Sequence, residues 1–165
     1  MSSTSTPLAT IEHLDRFAGQ NVELRGWVHN RTSKGKLHFV TLRDGTGYVQ
    51  CVLKKNAVGD ELFDTIGAAS QESSLRLIGE VKADDHAPGG FEISVASGEV
   101  LQSTSDFPIT PKEHGTDFLL SRRHLWLRSR RQWAIMRTRS AIMFSLRPFF
   151  DERGFLCIGS PLFTP

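Results

Sequence analysis

Residues 37–53, Leu37-His38-Phe39-Val40-Thr41-Leu42-Arg43-Asp44-Gly45-Thr46-Gly47-Tyr48-Val49-Gln50-Cys51-Val52-Leu53, read as two strands joined by a turn. Alternation puts Leu37, Phe39 and Thr41 on one face and His38, Val40 and Leu42 on the other, the mark of a half-buried strand. Asp44-Gly45-Thr46-Gly47 is a strong hairpin signal, because glycine takes up positive φ cheaply. Working outward, Val22 to Val28 alternates in the same way, and Ser33 to Lys36 forms a turn. Gly59 to Ala69 has Leu62, Phe63 and Ile66 at helical spacing. Ser74 to Lys82 and Phe91 to Leu101 read as strands, separated by the turn residues 87–90. Three strands, a helix and two strands is the order of an OB-fold, a five-stranded Greek-key barrel that binds nucleic acids on one face.

The flanks differ in character. Residues 1–10 are Ser/Thr-rich, without a basic residue or an apolar stretch, and are expected to be a disordered tail. Ile11 to Phe17 is weakly helical. The barrel is placed at 11–103 and a Pro- and Ser/Thr-containing linker at 104–120. In 121–165 a helix is expected from about Arg130 to Arg153, with Ile135, Ile142, Leu146 and Phe149 as its apolar stripe. Pro148 should interrupt or kink it. Phe155 to Ile158 reads as a further strand. A lone helix and strand do not build a domain, so the chain is expected to be a truncated piece.

The bulk numbers suit a globular protein: 165 residues, 39% hydrophobic and 23% charged. No run of 18 apolar residues occurs, so no membrane partner is expected. Cys51 and Cys157 make no metal spacing and read as reduced core thiols, which points to a cytoplasmic setting. The net charge of +2 hides two basic stretches. Residues 122–153 carry nine Arg against Asp151 and Glu152, and residues 21–55 carry seven Lys/Arg against Glu23 and Asp44. Both are compatible with a polyanion partner and equally with solvated faces.

Unpaired bases need flat groups to stack on, polar groups to read their edges and cations near their phosphates. The second and third strands carry Phe39, His38, Arg43, Tyr48 and Gln50, and Arg31, Lys34 and Lys36 precede them. Phe39 also fits a core aromatic. Gln50 also fits an exposed strand position, and the cations a solvated loop.

Gly26-Trp27-Val28-His29-Asn30-Arg31, Phe39 and Leu42 to Val52 resemble the anticodon-binding domain of the class IIb aminoacyl-tRNA synthetases. That subclass serves aspartate, asparagine and lysine. The string LRDGTGYVQCVL, and later APGG followed by FEIS, looks most like the asparaginyl members, and the resemblance runs from about Ile11 to Pro165. It implies that Phe39 stacks on the middle anticodon uridine, Gln50 reads its edge and Arg31 holds it or a neighbouring phosphate. It also implies that Glu92 contacts another anticodon base and that Lys34 and Lys36 touch backbone. Residues 122–128, the long helix, Gly154-Phe155 and Ser160-Pro161 resemble class II motif 1, the start of an α+β catalytic domain. That resemblance implies a homodimer interface through Ile135, Ile142, Leu146 and Pro161.

The arginines of motifs 2 and 3, which neutralise ATP phosphates in class II enzymes, do not occur in these 165 residues. The resemblance therefore implies a piece without catalytic residues, metal or cofactor of its own, taken from a ligase that uses ATP and Mg2+. The expected partner is the anticodon stem-loop of tRNA(Asn). A standalone OB-fold tRNA-binding module and an aspartyl enzyme, including one charging both tRNAs, are the alternatives.

Overall fold

The computed structural model describes residues 6–87, 89–110 and 112–159 and divides the chain into two units, residues 1–107 and 108–165. The first unit is a closed barrel of β1 (Asn21–Lys34), β2 (Leu37–Arg43), β3 (Tyr48–Lys54), β4 (Ser74–Ala83) and β5 (Phe91–Gln102), in the order β1-β2-β3-β5-β4. All pairs are antiparallel except β3 with β5. Inward positions of the strands bring Val22, Leu24, Val28, Val40, Leu42, Val49, Cys51, Leu53, Leu75, Leu77, Val81, Ile93 and Val95 into one core. The two-residue repeat that the sequence shows is thus the burial alternation of the barrel wall.

Between β3 and β4 lie α1 (Lys55–Val58) and α2 (Asp60–Ala68). The single helix expected over Gly59 to Ala69 is preceded by this extra turn, because Gly59 at φ +81° breaks the helical path between the two. Phe63 and Ile66 of α2 are buried in the barrel core. At Gly26 an added Cβ would lie 2.5 Å from the Arg43 carbonyl oxygen, so only glycine lets β1 pass the end of β2 this closely.

The β2–β3 turn has a different basis from the one expected. Neither Gly45 nor Gly47 takes positive φ. Instead the Asp44 carboxylate accepts from the Thr46 and Gly47 amides, at 2.7 and 2.9 Å, and from the Thr46 hydroxyl at 2.7 Å. Its other oxygen accepts from the Ile11 amide at 2.9 Å, which fastens the turn to the 3-10 helix Ile11–Phe17.

Residues 6–10, expected within a disordered tail, are held against β1. The Ala9 amide donates to the Glu23 carbonyl and the Glu23 amide to the Pro7 carbonyl, and Ala9 is buried. Residues 1–5 lie outside the described residues. The segment expected as a linker contains a helix, α3 (Thr116–Ser121), whose apolar Phe118 stacks on His114 and under the Arg122 guanidinium. After β5, Thr104 is tied to residues 70–73: its amide donates to Ser73 Oγ and its hydroxyl to the Glu72 carbonyl.

In the second unit α4 (Arg123–Trp126) and α5 (Arg130–Asp151) follow. Ser129 caps α5 by accepting from the Gln132 amide at 3.4 Å. Pro148 neither ends nor shortens this helix. It lies in the last turn, where its carbonyl still accepts from the Glu152 amide. Ile135, Ile142 and Leu146 are exposed, and α5 buries none of its residues. The strand expected at Phe155 to Ile158 does not form: no strand among the described residues offers it a ladder, and an extended segment without one leaves its peptide groups to water. Leu156 and Ile158 are more than four-fifths exposed, and Cys157, expected as a core thiol, is exposed as well. Pro161 lies outside the described residues.

Candidate nucleic-acid interface

The register of the barrel arranges its outer face in rows. One row runs Asn30–Thr41–Gln50–Glu92–Lys82 across β1, β2, β3, β5 and β4. The next, two residues along, runs Thr32–Phe39–Val52–Ser94–Glu80. A third carries Trp27–Arg43–Tyr48, with His29 edge-on to Tyr48 at 4.8 Å between ring centroids. Phe39 is half-buried and points outward, away from Val40 and Leu42, which are fully buried. It stands directly across from Val52 and diagonally from Gln50, a separation of about 7–8 Å in a sheet. Phe39 and the Gln50 amide, which offers both a donor and an acceptor, are therefore near neighbours on the outer face.

Three of the candidates for anticodon contact, Phe39, Gln50 and Glu92, thus share one face, with Gln50 and Glu92 adjacent across the parallel β3–β5 pair. Arg31 is placed differently. It lies across from Val40, on the exposed end of β1, one step out of phase with the row of Phe39. Lys34 closes β1 and Lys36 sits in the turn, where Gly35 takes φ +57°. Together Arg31, Lys34 and Lys36 make a basic arm, and among the described residues no ion pair engages them. Lys54, exposed across from Leu37, adds a cation near the same end of the sheet.

Two residues expected to be available on this surface are engaged by the protein itself. His38 faces inward, is 7% exposed and stacks on Phe63 at 3.7 Å between centroids. Arg43 is committed to the protein: it pairs with the buried Glu72 carboxylate at 2.8 Å and lies over the Trp27 ring. Sequence reading missed this pair because Glu72 comes from a turn far along the chain, at φ +67°. The one signal available for His38 was its phase, shared with Val40 and Leu42.

Away from the rows of Phe39 and Gln50, Glu23 receives Arg25 and Arg76 at 2.7 Å each, and Arg76 also reaches Glu99. Hydrogen bonds from Arg76 and then Arg25 hold the Glu23 carboxyl down at about 2, below the usual carboxylate range. Burial pushes the Cys51 thiol up to about 12, so it stays a neutral core group. The described residues contain no group of three His, Cys, Asp or Glu able to hold a metal ion, and no helix long and apolar enough to cross a membrane.

Comparison with known proteins agrees with the barrel fold. Residues 22–101 fit the family model described as an OB-fold nucleic acid binding domain. The chain is 50% identical over 160 residues to an asparagine–tRNA ligase of Sorangium cellulosum, and 49% identical over 155 residues to that of Pelotomaculum thermopropionicum. These alignments take in 96% and 94% of this chain but 36% of each relative, so the chain spans little more than a third of their length. The crystal structure of asparaginyl-tRNA synthetase from Pyrococcus horikoshii, complexed with asparaginyl-adenylate, superposes with a TM-score of 0.82 at 38% identity, covering 89% of this chain and 34% of that one. With a closed barrel whose residues 22–101 fit an OB-fold nucleic acid binding domain, the chain is similar, along nearly its whole length, to about a third of an asparagine–tRNA ligase.

Proposed function

We propose that the outer face of β2, β3 and β5 reads the anticodon loop of tRNA(Asn) for an asparagine–tRNA ligase. The observation that carries the reading is the neighbourhood of Phe39, Gln50 and Glu92 on one face beside an unpaired basic arm. In this reading Phe39 stacks on the middle uridine, Gln50 hydrogen-bonds its edge, and Glu92 accepts from an adjacent base. Arg31, Lys34 and Lys36 meet phosphates, which fixes register without reading sequence. The exposed apolar stripe of α5, with Ile135, Ile142 and Leu146, is the homodimer contact of the intact ligase, joined by Pro161. The intact ligase activates asparagine with ATP and Mg2+, which supply the adenylyl group and its charge neutralisation. In this reading the part played by this chain is to bind and orient RNA.

Titration of labelled stem-loops carrying GUU or GCU tests the reading. Tighter binding of the uridine form, weakening as salt rises, is the expected result. Equal affinity for the two loops refutes the roles of Phe39 and Gln50.

A further inference from the structure

The basic arm is thinly supported. β4 pairs with β1 only from Asn21 to Trp27, so beyond Val28 the arm has β2 on one edge and no strand on the other. Asn30 to Lys34 are exposed. A two-stranded ribbon of this kind is marginal in water by itself. One side chain ties it to the body of the barrel. Ser33 lies across from His38, and its Oγ is 2.8 Å from His38 Nδ1.

His38 is fixed from the other side by α2. Its ring lies nearly parallel to that of buried Phe63, at 15° and 3.7 Å. The Phe63 backbone acts on the imidazole in the sense that favours the protonated ring. In the tautomer that carries its proton on Nε2, Nδ1 accepts from the Ser33 hydroxyl. Gly67 completes the seat, since a Cβ at that position would meet Nε2 at 2.6 Å. Burial and the nearby Arg31 charge hold the imidazole below its ordinary pKa, against the pull of Asp64 and the Phe63 backbone, which keeps it neutral.

We propose that His38 is a positioning residue for RNA binding: through Ser33 it sets the angle at which Arg31, Lys34 and Lys36 are presented beside Phe39. It touches no RNA itself. The inference rests on the reading of the outer face as an RNA surface, and its test separates the two.

The first measurement uses the whole 165-residue chain without RNA. Amide hydrogen exchange in 30–36 reports arm opening, and that in β4 and α2 reports the core. Losing one such hydrogen bond in Ser33→Ala should speed arm exchange by about tenfold and leave β4 unchanged. His38→Ala should do the same to the arm. His38→Asn, whose Oδ1 stands where Nδ1 was, should restore protection, whereas His38→Gln, which mimics the other nitrogen, should not. The second measurement is the slope of log affinity against log salt for the GUU stem-loop. Ser33→Ala should lower that slope by about 0.7 for each cation withdrawn, while the preference for uridine over cytidine is retained.

Arm exchange unchanged in Ser33→Ala overturns the inference, whatever the RNA data show. Rescue by Gln as good as rescue by Asn also overturns it, because volume alone would then explain the site. If the arm loosens as expected but the wild-type chain shows no salt-dependent, uridine-selective binding, the functional reading fails, and with it any role for His38 in RNA binding.

Discussion

Phe39→Ala is the most direct perturbation of the outer face. Phe39 has two neighbours in its row, Thr32 and Val52, and Val52 is only 7% exposed although its phase in β3 points it outward. The aromatic ring is thus also a cover for Val52, and removing it both deletes the stacking surface and uncovers an apolar neighbour. Loss of a base stack costs about 1–3 kcal/mol, which is a rise in Kd of about 5- to 150-fold. Loss of cover acts on stability instead. Full burial of such a side chain is worth about 1.5–3 kcal/mol, and Phe39 is half-buried, so roughly half that range is at stake. Phe39→Leu separates the two effects, since leucine covers Val52 and presents no π face. Fluorescence anisotropy with the GUU stem-loop at fixed salt, beside thermal melts of the three proteins, measures both. Binding should fall in both variants and stability mainly in the alanine one. Wild-type affinity in Phe39→Leu refutes stacking, because the face of the ring would then contribute nothing.

Phe63→Ala, at a 5% exposed core position under His38, should destabilise the barrel by about 3–5 kcal/mol, read from the urea midpoint. Lys34→Ala and Lys36→Ala should each lower the salt slope of stem-loop binding by about 0.7 with no change in base preference, so a changed preference contradicts a backbone role. The depressed pKa of Glu23, near 2 against an ordinary 4.5, gives stability that is fully present above pH 4.5 and is lost as pH falls through 2. Glu23→Gln should therefore lower the melting temperature at neutral pH and flatten its decline in acid. A parallel decline in both proteins removes Glu23 from the acid response.

The barrel was legible because each of its strands is half-buried, so the chemistry of β1, β2 and β3 repeats every second residue. Phase alone sets Phe39 and Gln50 opposite to Val40 and Cys51, but it left a core or plain surface role open for them, and the family resemblance is what singled them out. Glu92 as a neighbour of Gln50 could not be read this way. That adjacency comes from the parallel β3–β5 pairing, a long-range choice that leaves no local pattern. Arg43 was misjudged because its partner Glu72 is remote in sequence, and His38 because its polarity was weighed above its phase. Phe155 to Ile158 has the composition of a strand, but composition supplies no neighbouring ladder. The 3-10 helix holds the Asp44 turn by a single backbone amide bond to each of Asp44 and Thr46, a fastening that no periodicity announces.

The closing of the ring by β1 and β4 also sets the order in which the chain can fold. β1, β2 and β3 are joined by short turns and can zip up from contacts close in sequence. Asn21, however, pairs with Glu80, and Trp27 with Ser74, so the seam waits until nearly the whole barrel sequence is available. The loop entropy of that last pairing is spent before its hydrogen bonds and the burial of Leu75, Leu77 and Val81 are gained. Refolding of such a topology belongs to the milliseconds-to-seconds range, and its early species is an open meander with the β1 edge unpaired. Pro7 and Ala9 lie along the other edge of β1, bonded to the Glu23 amide and carbonyl, while β4 pairs with the same stretch on its opposite side. A chain shortened past Ala9 would leave this second edge of β1 bare as well, so that the early species has two open edges and aggregation during refolding becomes a cost of trimming the first ten residues.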